Sequence, residues 1–442
     1  DAYNVAVGYN AGQQITTGGA NTLIGGLAGD ALTVGNSNVA AGVHALGADT
    51  KGDRNVAIGN SALAAQNFTT STDSYNVALG YAAGGAVTSG INNTLIGGLA
   101  GDALTDADYN TAVGFEALST DVLGSRSVAI GFNALTTQNP ATAANMYNVG
   151  VGFNGGQQIT TGVQNTLVGG LAGDAQTIGA DNVALGFEAL SGETQASRNT
   201  AIGRGALKAQ NIGTNSNSYN TAVGAIAALA LTSGIQNTFI GGATAGSASS
   251  GNDNTVIGYN AGTHSTALTT GGQNTFLGSH SHINNGGDSN AVAIGYNVTG
   301  TSGFTTLGNT TDDIRAAHGN VTWNTVSDQR YKKDIVDSTA GLSFVNALQP
   351  RTFKYKTLGE LPETFNAYEA DSTEVFKNSV TNHGFIAQEV KTAIDAHPEL
   401  KDGFAMWGER PDGGQELGEA ALIPILVKAI QELTARIATL EG

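Results

Sequence analysis

Asn76-Val77-Ala78-Leu79-Gly80 is followed seventeen residues later by Asn93-Thr94-Leu95-Ile96-Gly97, and after the same interval by Asn110-Thr111-Ala112-Val113-Gly114. The unit N-[VT]-x-[VIL]-G also begins at Asn4, Asn21, Asn38 and Asn55, and after Asn110 its slot is taken by Ser127. It continues at Asn148, Asn165, Asn182, Asn199, Asn220, Asn237, Asn254 and Asn274, and the last copy opens on Ala291. The steps run 17, 17, 17, 21, and this set recurs three times, which gives a super-period of 72 residues before a late step of 20. A unit of this size cannot bury a core alone, so the units must stack. Three residues such as Val5-Ala6-Val7 suit a short strand, with the outer two on one face and the middle one on the other. The glycine that follows suits a turn with positive φ or a close backbone approach. Successive asparagines can bond one another in an amide ladder. At about 4.8 Å per coil, 17 coils make a rod of roughly 80 Å. So thin a solenoid buries little by itself, which predicts several chains winding together. Helix is disfavoured by a glycine every few residues.

Composition divides the 442-residue chain in two. Residues 1–326 hold 7 Lys+Arg and 18 Asp+Glu, whereas the 116 residues from 327 to 442 hold 12 and 18, and five of the six prolines. The boundaries read are a repetitive β-solenoid shaft at 1–298, a β-rich connector at 299–326 and a small α+β domain with a long final helix at 327–442. Trp323 is read as packed at the junction. A net charge of −17 argues against nucleic acid as a partner. Absence of cysteine excludes a disulfide scaffold. No apolar run of about 18 residues is present, so no membrane insertion is expected. The start at Asp1, without a signal peptide, reads as a fragment or processed product.

Strings such as N-T-L-I-G-G-L-A-G and N-T-A-V-G-F-E-A-L resemble the repeats of trimeric autotransporter adhesin heads and of phage fibre shafts. That resemblance implies a homotrimeric β-roll or β-solenoid. From Ser327 onward the chain resembles the endosialidase-type intramolecular chaperone found at the end of phage tail spikes and fibres. Ser327-Asp328-Gln329-Arg330-Tyr331-Lys332-Lys333-Asp334-Ile335 is similar to its opening S-D-x-R-[LF]-K-x-[DEN]-I, with tyrosine in place of the usual leucine. Gln349-Pro350 with Phe353-Lys354-Tyr355, Gly384-Phe385-Ile386-Ala387-Gln388-Glu389-Val390, and Leu422-Ile423-Pro424 through Leu433 follow in the family's order.

The resemblance implies self-cleavage: Ser327 attacks the carbonyl of Val326, Lys332 is the general base, and Asp328 and Arg330 orient the loop. A serine needs a nearby base, and a lysine serves as one only where loss of water lowers its pKa. Burial in a trimer would supply that. From spacing alone, Ser327-Asp328 reads as a turn cap, and the resemblance is what favours self-cleavage. Such a chain is at most a single-turnover Ser-Lys peptidase, with no external substrate expected.

The final helix carries Ile423, Leu426, Ile430, Leu433, Ile437 and Leu440 at alternating 3 and 4 spacing, a heptad seam. Ile and Leu in these positions favour two strands in isolated parallel coils, and the neighbouring domain must then impose three. The alternative is one amphipathic helix folded onto its own domain.

Binding residues are read from recurrence. Tyr3, Tyr75, Tyr147 and Tyr219 fall in register beside insertions within Gln66–Tyr75, Gln138–Tyr147 and Gln210–Tyr219, and Arg54, Arg126 and Arg198 fall one coil earlier. These tyrosines are either glycan platforms or packing for the longer loop. His280 and His282, two apart on one strand face, could place six imidazoles around an axial metal ion in a trimer, or could be solvated. No other cofactor is expected. Gly25-Gly26-Leu27-Ala28-Gly29-Asp30 is not a calcium repeat, because it recurs every 72 residues rather than every nine. The expected protein is a receptor-binding tail fibre on a virion, extracellular and assembled in the host cytoplasm. Its expected partners are other tail or baseplate proteins and a host glycan or protein receptor. A bacterial surface adhesin with the same head repeats is the alternative. A depolymerase of host polysaccharide is disfavoured, as no paired-carboxylate site stands out.

Overall fold

The computed structural model describes residues 2–310, 312–319, 324–325, 327–401 and 403–442. Trp323 and Val326 lie outside the described residues, and with them the expected junction packing and the carbonyl side of the expected cleavage point. The chain forms two compact units, Asp1–Val326 and Ser327–Gly442.

The first unit is a β-solenoid. Its main sheet holds one short parallel strand per coil, from Val5–Val7 through Thr22–Ile24 and Val39–Ala41 onward to Val292–Tyr296 and Phe304–Asn309. The pairing joins like to like: Val77 faces Thr94, which in turn faces Thr111. Register holds across the long step, where Val56 faces Val77. The four extra residues are therefore expelled as a loop, which pairs Gly52–Asp53 with Thr72–Asp73 and, one super-period on, Gly124–Ser125 with Ala144–Asn145. Within the stretch 299–326, Phe304–Asn309, Asp312–Ala317 and Asn324–Thr325 continue the same sheet, while Thr299–Gly300 pairs separately with His282–Ile283. Phe304–Asn309 pairs antiparallel with Asp312–Ala317, which turns the ladder back at this end.

Asparagine holds the coils together by a different bond from the amide ladder expected. Each Oδ1 accepts the backbone N–H of the asparagine one coil on, as Asn4 does from Asn21 (2.8 Å) and Asn21 from Asn38 (2.9 Å). Most Nδ2 groups donate to a backbone carbonyl fourteen residues on, as Asn21 does to Gly35 (2.9 Å), while Asn254 reaches Gly271, seventeen residues on (3.0 Å). Amide-to-amide bonds such as Asn55 Nδ2 to Asn38 Oδ1 (3.1 Å) are secondary. The reason is that this corner leaves backbone N–H and C=O groups buried, and these have to be paired. The glycine closing each strand is needed for space as well as for torsion. Gly97 has φ +134°, and a Cβ there would overlap the carbonyl of Gly114 in the next coil.

The strand's middle residue is buried and the outer two face away from the core. Ala40, Ala57, Leu95 and Ala112 are fully buried, while their flanking residues are half-buried or exposed. The core is thin, and its filling alternates. Coils with glycine eight residues after the asparagine, at Gly12, Gly29, Gly84 and Gly101, fill the space with Ile15, Leu32, Val87 and Leu104. Coils with leucine there, at Leu46, Leu63, Leu118 and Leu135, place Asp49, Gln66, Asp121 and Gln138 where those apolar side chains stood.

The second unit packs three helices, α1 (Leu342–Ala347), α2 (Ala387–Asp395) and α3 (Leu422–Glu441), around Phe344, Val390, Ile394, Met406, Leu422 and Ile425. Pro424 falls in the first turn of α3, where no intrahelical bond is lost. The face of α3 carrying Leu422, Ile425 and Ala429 is buried in its own unit. Glu432 caps α1 by accepting the Leu342 N–H (2.9 Å).

Candidate functional site

The second unit opens on a one-turn 3₁₀ helix, Gln329–Tyr331. Asp328 caps it: one carboxylate oxygen accepts the Arg330 N–H (2.8 Å), and the carboxylate grips the Arg330 guanidinium at 3.0 and 2.6 Å. That hydrogen-bonded guanidinium holds the Asp328 carboxyl below its usual range. The turn closes through Lys332 N–H to the Gln329 carbonyl (3.0 Å) and returns the lysine side chain over the chain's own start. Lys332 Nζ thus lies 2.8 Å from Ser327 Oγ. A serine and a lysine five residues apart meet because Asp328 and Arg330 fold the intervening residues. Both side chains are exposed in the single chain. Proton abstraction needs an uncharged amine, and shielding from water favours that form.

The motif residues further along build the scaffold. Arg351–Phe353 pairs antiparallel with Asn382–Gly384, which leads directly into α2. Glu389 on α2 then receives the Arg351 guanidinium in a two-pronged contact at 2.7 and 3.0 Å.

Residues 327–398 match the family model described as the chaperone of endosialidase, Peptidase_S74. The match starts at the serine whose hydroxyl meets Lys332 and ends just beyond α2. No curated protein and no solved structure matches the chain. An intramolecular chaperone segment following a β-solenoid is the arrangement of a tail-fibre-like protein.

The six seam residues of α3, from Ile423 to Leu440, are half-buried to exposed, with Ile430 at 61% and Leu440 at 86%. The helix therefore folds onto its own unit, the second of the two readings. One face packs on its own unit, and the heptad seam is left uncovered.

On the shaft, Tyr3, Tyr75, Tyr147 and Tyr219 occupy left-handed backbone positions just before a strand and are at least half exposed. Arg54, Arg126 and Arg198 share that column and lie over the rings of Tyr75, Tyr147 and Tyr219. Arg54 also pairs with Asp73, and Arg198 with Asp181 (3.5 Å). Arg126 instead lies against a second ring, Tyr109, at 5.4 Å. Reading the column coil by coil, rather than every 72 residues, would have found Tyr109.

His280 and His282 do not share a strand face. His280 has φ +61°, and only His282 is in a strand, His282–Ile283. The left-handed backbone at His280 breaks the strand alternation between the two residues. His282 uses both nitrogens, Nδ1 on the His280 carbonyl (3.1 Å) and Nε2 on Thr299 Oγ1 (3.0 Å). His264, unremarked in the sequence, packs edge-on against His280 at 4.6 Å. Among the described residues no group of three His, Asp or Glu side chains is placed to hold a metal ion.

Proposed function

We propose that this chain is a homotrimeric tail fibre of a bacteriophage, whose C-terminal unit drives assembly and then cuts itself from the shaft. The observation that carries the reading is the 2.8 Å contact of Lys332 Nζ with Ser327 Oγ inside the segment that matches the chaperone family. In the proposed step the amine of Lys332 takes the hydroxyl proton as Ser327 Oγ bonds to the Val326 carbonyl carbon. The Val326–Ser327 C–N bond breaks and its nitrogen receives a proton, which leaves an ester on Oγ. Water hydrolyses that ester to a Val326 carboxylate and a free Ser327. Assembly would gate the step by taking the exposed pair out of water. The uncovered seam of α3 supports association.

Denaturing gels of the wild type against Ser327→Ala and Lys332→Ala test the chemistry. A released fragment of 116 residues beginning at Ser327, absent from both variants, is expected. A wild-type chain that never shortens removes the peptidase step. The proposed attachment to a host glycan uses the exposed tyrosine column. Loss of glycan-array binding in Tyr147→Ala with Tyr219→Ala is the expected result.

A further inference from the structure

The sheet of the shaft is parallel throughout its run of coils, and parallel sheets are ordinarily covered on both faces. Here one face lies on the core of alanines and leucines, and the other has no further layer over it among the described residues of this unit. From Val5 to Ile294, the first outward position of every strand is valine or threonine, and the second is valine, isoleucine, leucine or, once, alanine. No charge interrupts either column, although the chain carries 55 charged residues. Ile24, Leu79, Ile130 and Leu277 are 39–47% exposed. Two residues past the second outward column, just after the glycine, stand Phe115, Phe132 and Phe153, stacked at 5.8 and 5.5 Å with nearly parallel rings and about half exposed.

We infer that this outward face, centred on the columns of Thr111, Val128 and Val149 and of Val113, Ile130 and Val151, is the surface along which copies of this chain pack on one another in register. The occupant follows from period and area. The face repeats at the strand spacing of about 4.8 Å, and a second copy carries the same spacing, the same 72-residue modulation and the same uncharged columns. Three residues per strand over 17 coils present about 10 Å by about 80 Å, or about 800 Å², the contribution of one partner to a stable interface. The inference rests on the trimer reading above and gives it an address on the shaft.

The chain has no cysteine, so single introduced thiols report on this face without background. In the full chain, Ile130→Cys is compared with Asp106→Cys, an exposed position off the sheet, by maleimide labelling rate and by sedimentation. The expected result is an assembly in which Ile130→Cys labels at least about tenfold more slowly than Asp106→Cys, with the difference erased on unfolding. Thr111→Cys repeats the measurement where Ile130→Cys fails to fold. An intact assembly whose face thiols label as fast as Asp106→Cys overturns the inference and leaves the trimer standing. A wild type that sediments as a single chain overturns the trimer itself.

Discussion

Gln176→Leu should stabilise the shaft, and the repeat supplies its own control. Gln176 is fully buried, and neither its amide nitrogen nor its amide oxygen has a hydrogen-bond partner among the described residues. It stands 72 residues after Leu104 and 144 after Leu32, both fully buried at the same place in the coil. The backbone is alike at all three: Leu32, Leu104 and Gln176 donate to Gly29, Gly101 and Gly173 at 3.2, 3.2 and 3.1 Å. Leucine therefore fits without rearrangement. An orphaned amide costs about 1–3 kcal/mol, and burying a leucine contributes about 1.5–3 kcal/mol. The two overlap in part, so about 3 kcal/mol is expected. Solenoid coils couple mainly to their neighbours, so the gain is local. The amides of Gly173–Thr177 should exchange hydrogen about a hundredfold more slowly, while those beyond one super-period stay unchanged. Leu104→Gln should produce the opposite change of similar size. Unchanged or faster exchange in Gln176→Leu would refute the reasoning.

Other perturbations follow from the same geometry. Burial pushes the carboxyls of Asp49 and Asp121 up despite the amides of Gln66 and Gln138. Their protonation favours the folded shaft, so this contribution is full below the ordinary carboxylate range and is lost as pH rises through the raised folded values. The unfolding midpoint should therefore rise on moderate acidification, and Asp121→Asn should flatten that slope. Gly97→Ala forces a Cβ onto the Gly114 carbonyl at φ +134° and should cost about 3 kcal/mol, read as lost exchange protection in the strands at Thr94–Ile96 and Thr111–Val113. Ile430→Glu with Leu433→Glu alters only partly exposed seam positions, so sedimentation should show dissociation while circular dichroism retains the helix.

The repeat made the solenoid legible because each coil reuses one solution: asparagine for the corner bonds, a β-branched residue for the strand and glycine for the close approach. Two things stayed hidden. Alternation in Val-Ala-Val says that two faces exist but not which is inside. Larger residues outside and alanine inside looks inverted until the core is seen to be too thin for more. The Ser327–Lys332 contact was legible from the motif, whereas the turn that makes it, capped by Asp328 on Arg330, depends on geometry that spacing does not carry. The histidines misled because alternation was applied across His280, a residue in left-handed conformation.

The 72-residue beat has a physical cause in the core. A coil contributes a large side chain either at the leucine position eight residues past the asparagine or at the position three further on, and not at both. Gly29 with Leu32 is one solution, and Leu46 with Asp49 is the other. Where leucine takes the first position, the second is left to a polar side chain, and a single buried carboxylate there would be costly. Two such coils in succession solve this: Gln66 Nε2 donates to Asp49 Oδ2 (2.7 Å), and Asn76 Nδ2 donates to Gln66 Oε1 (2.8 Å). The same chain recurs at Asp121, Gln138 and Asn148. In the first two super-periods two apolar coils precede each polar pair, which makes four. The expelled loop follows the second polar coil each time, and Asp49 reaches it by accepting the Phe68 N–H (3.4 Å). Core packing and loop placement are thus coupled within one 72-residue unit through the buried carboxylate.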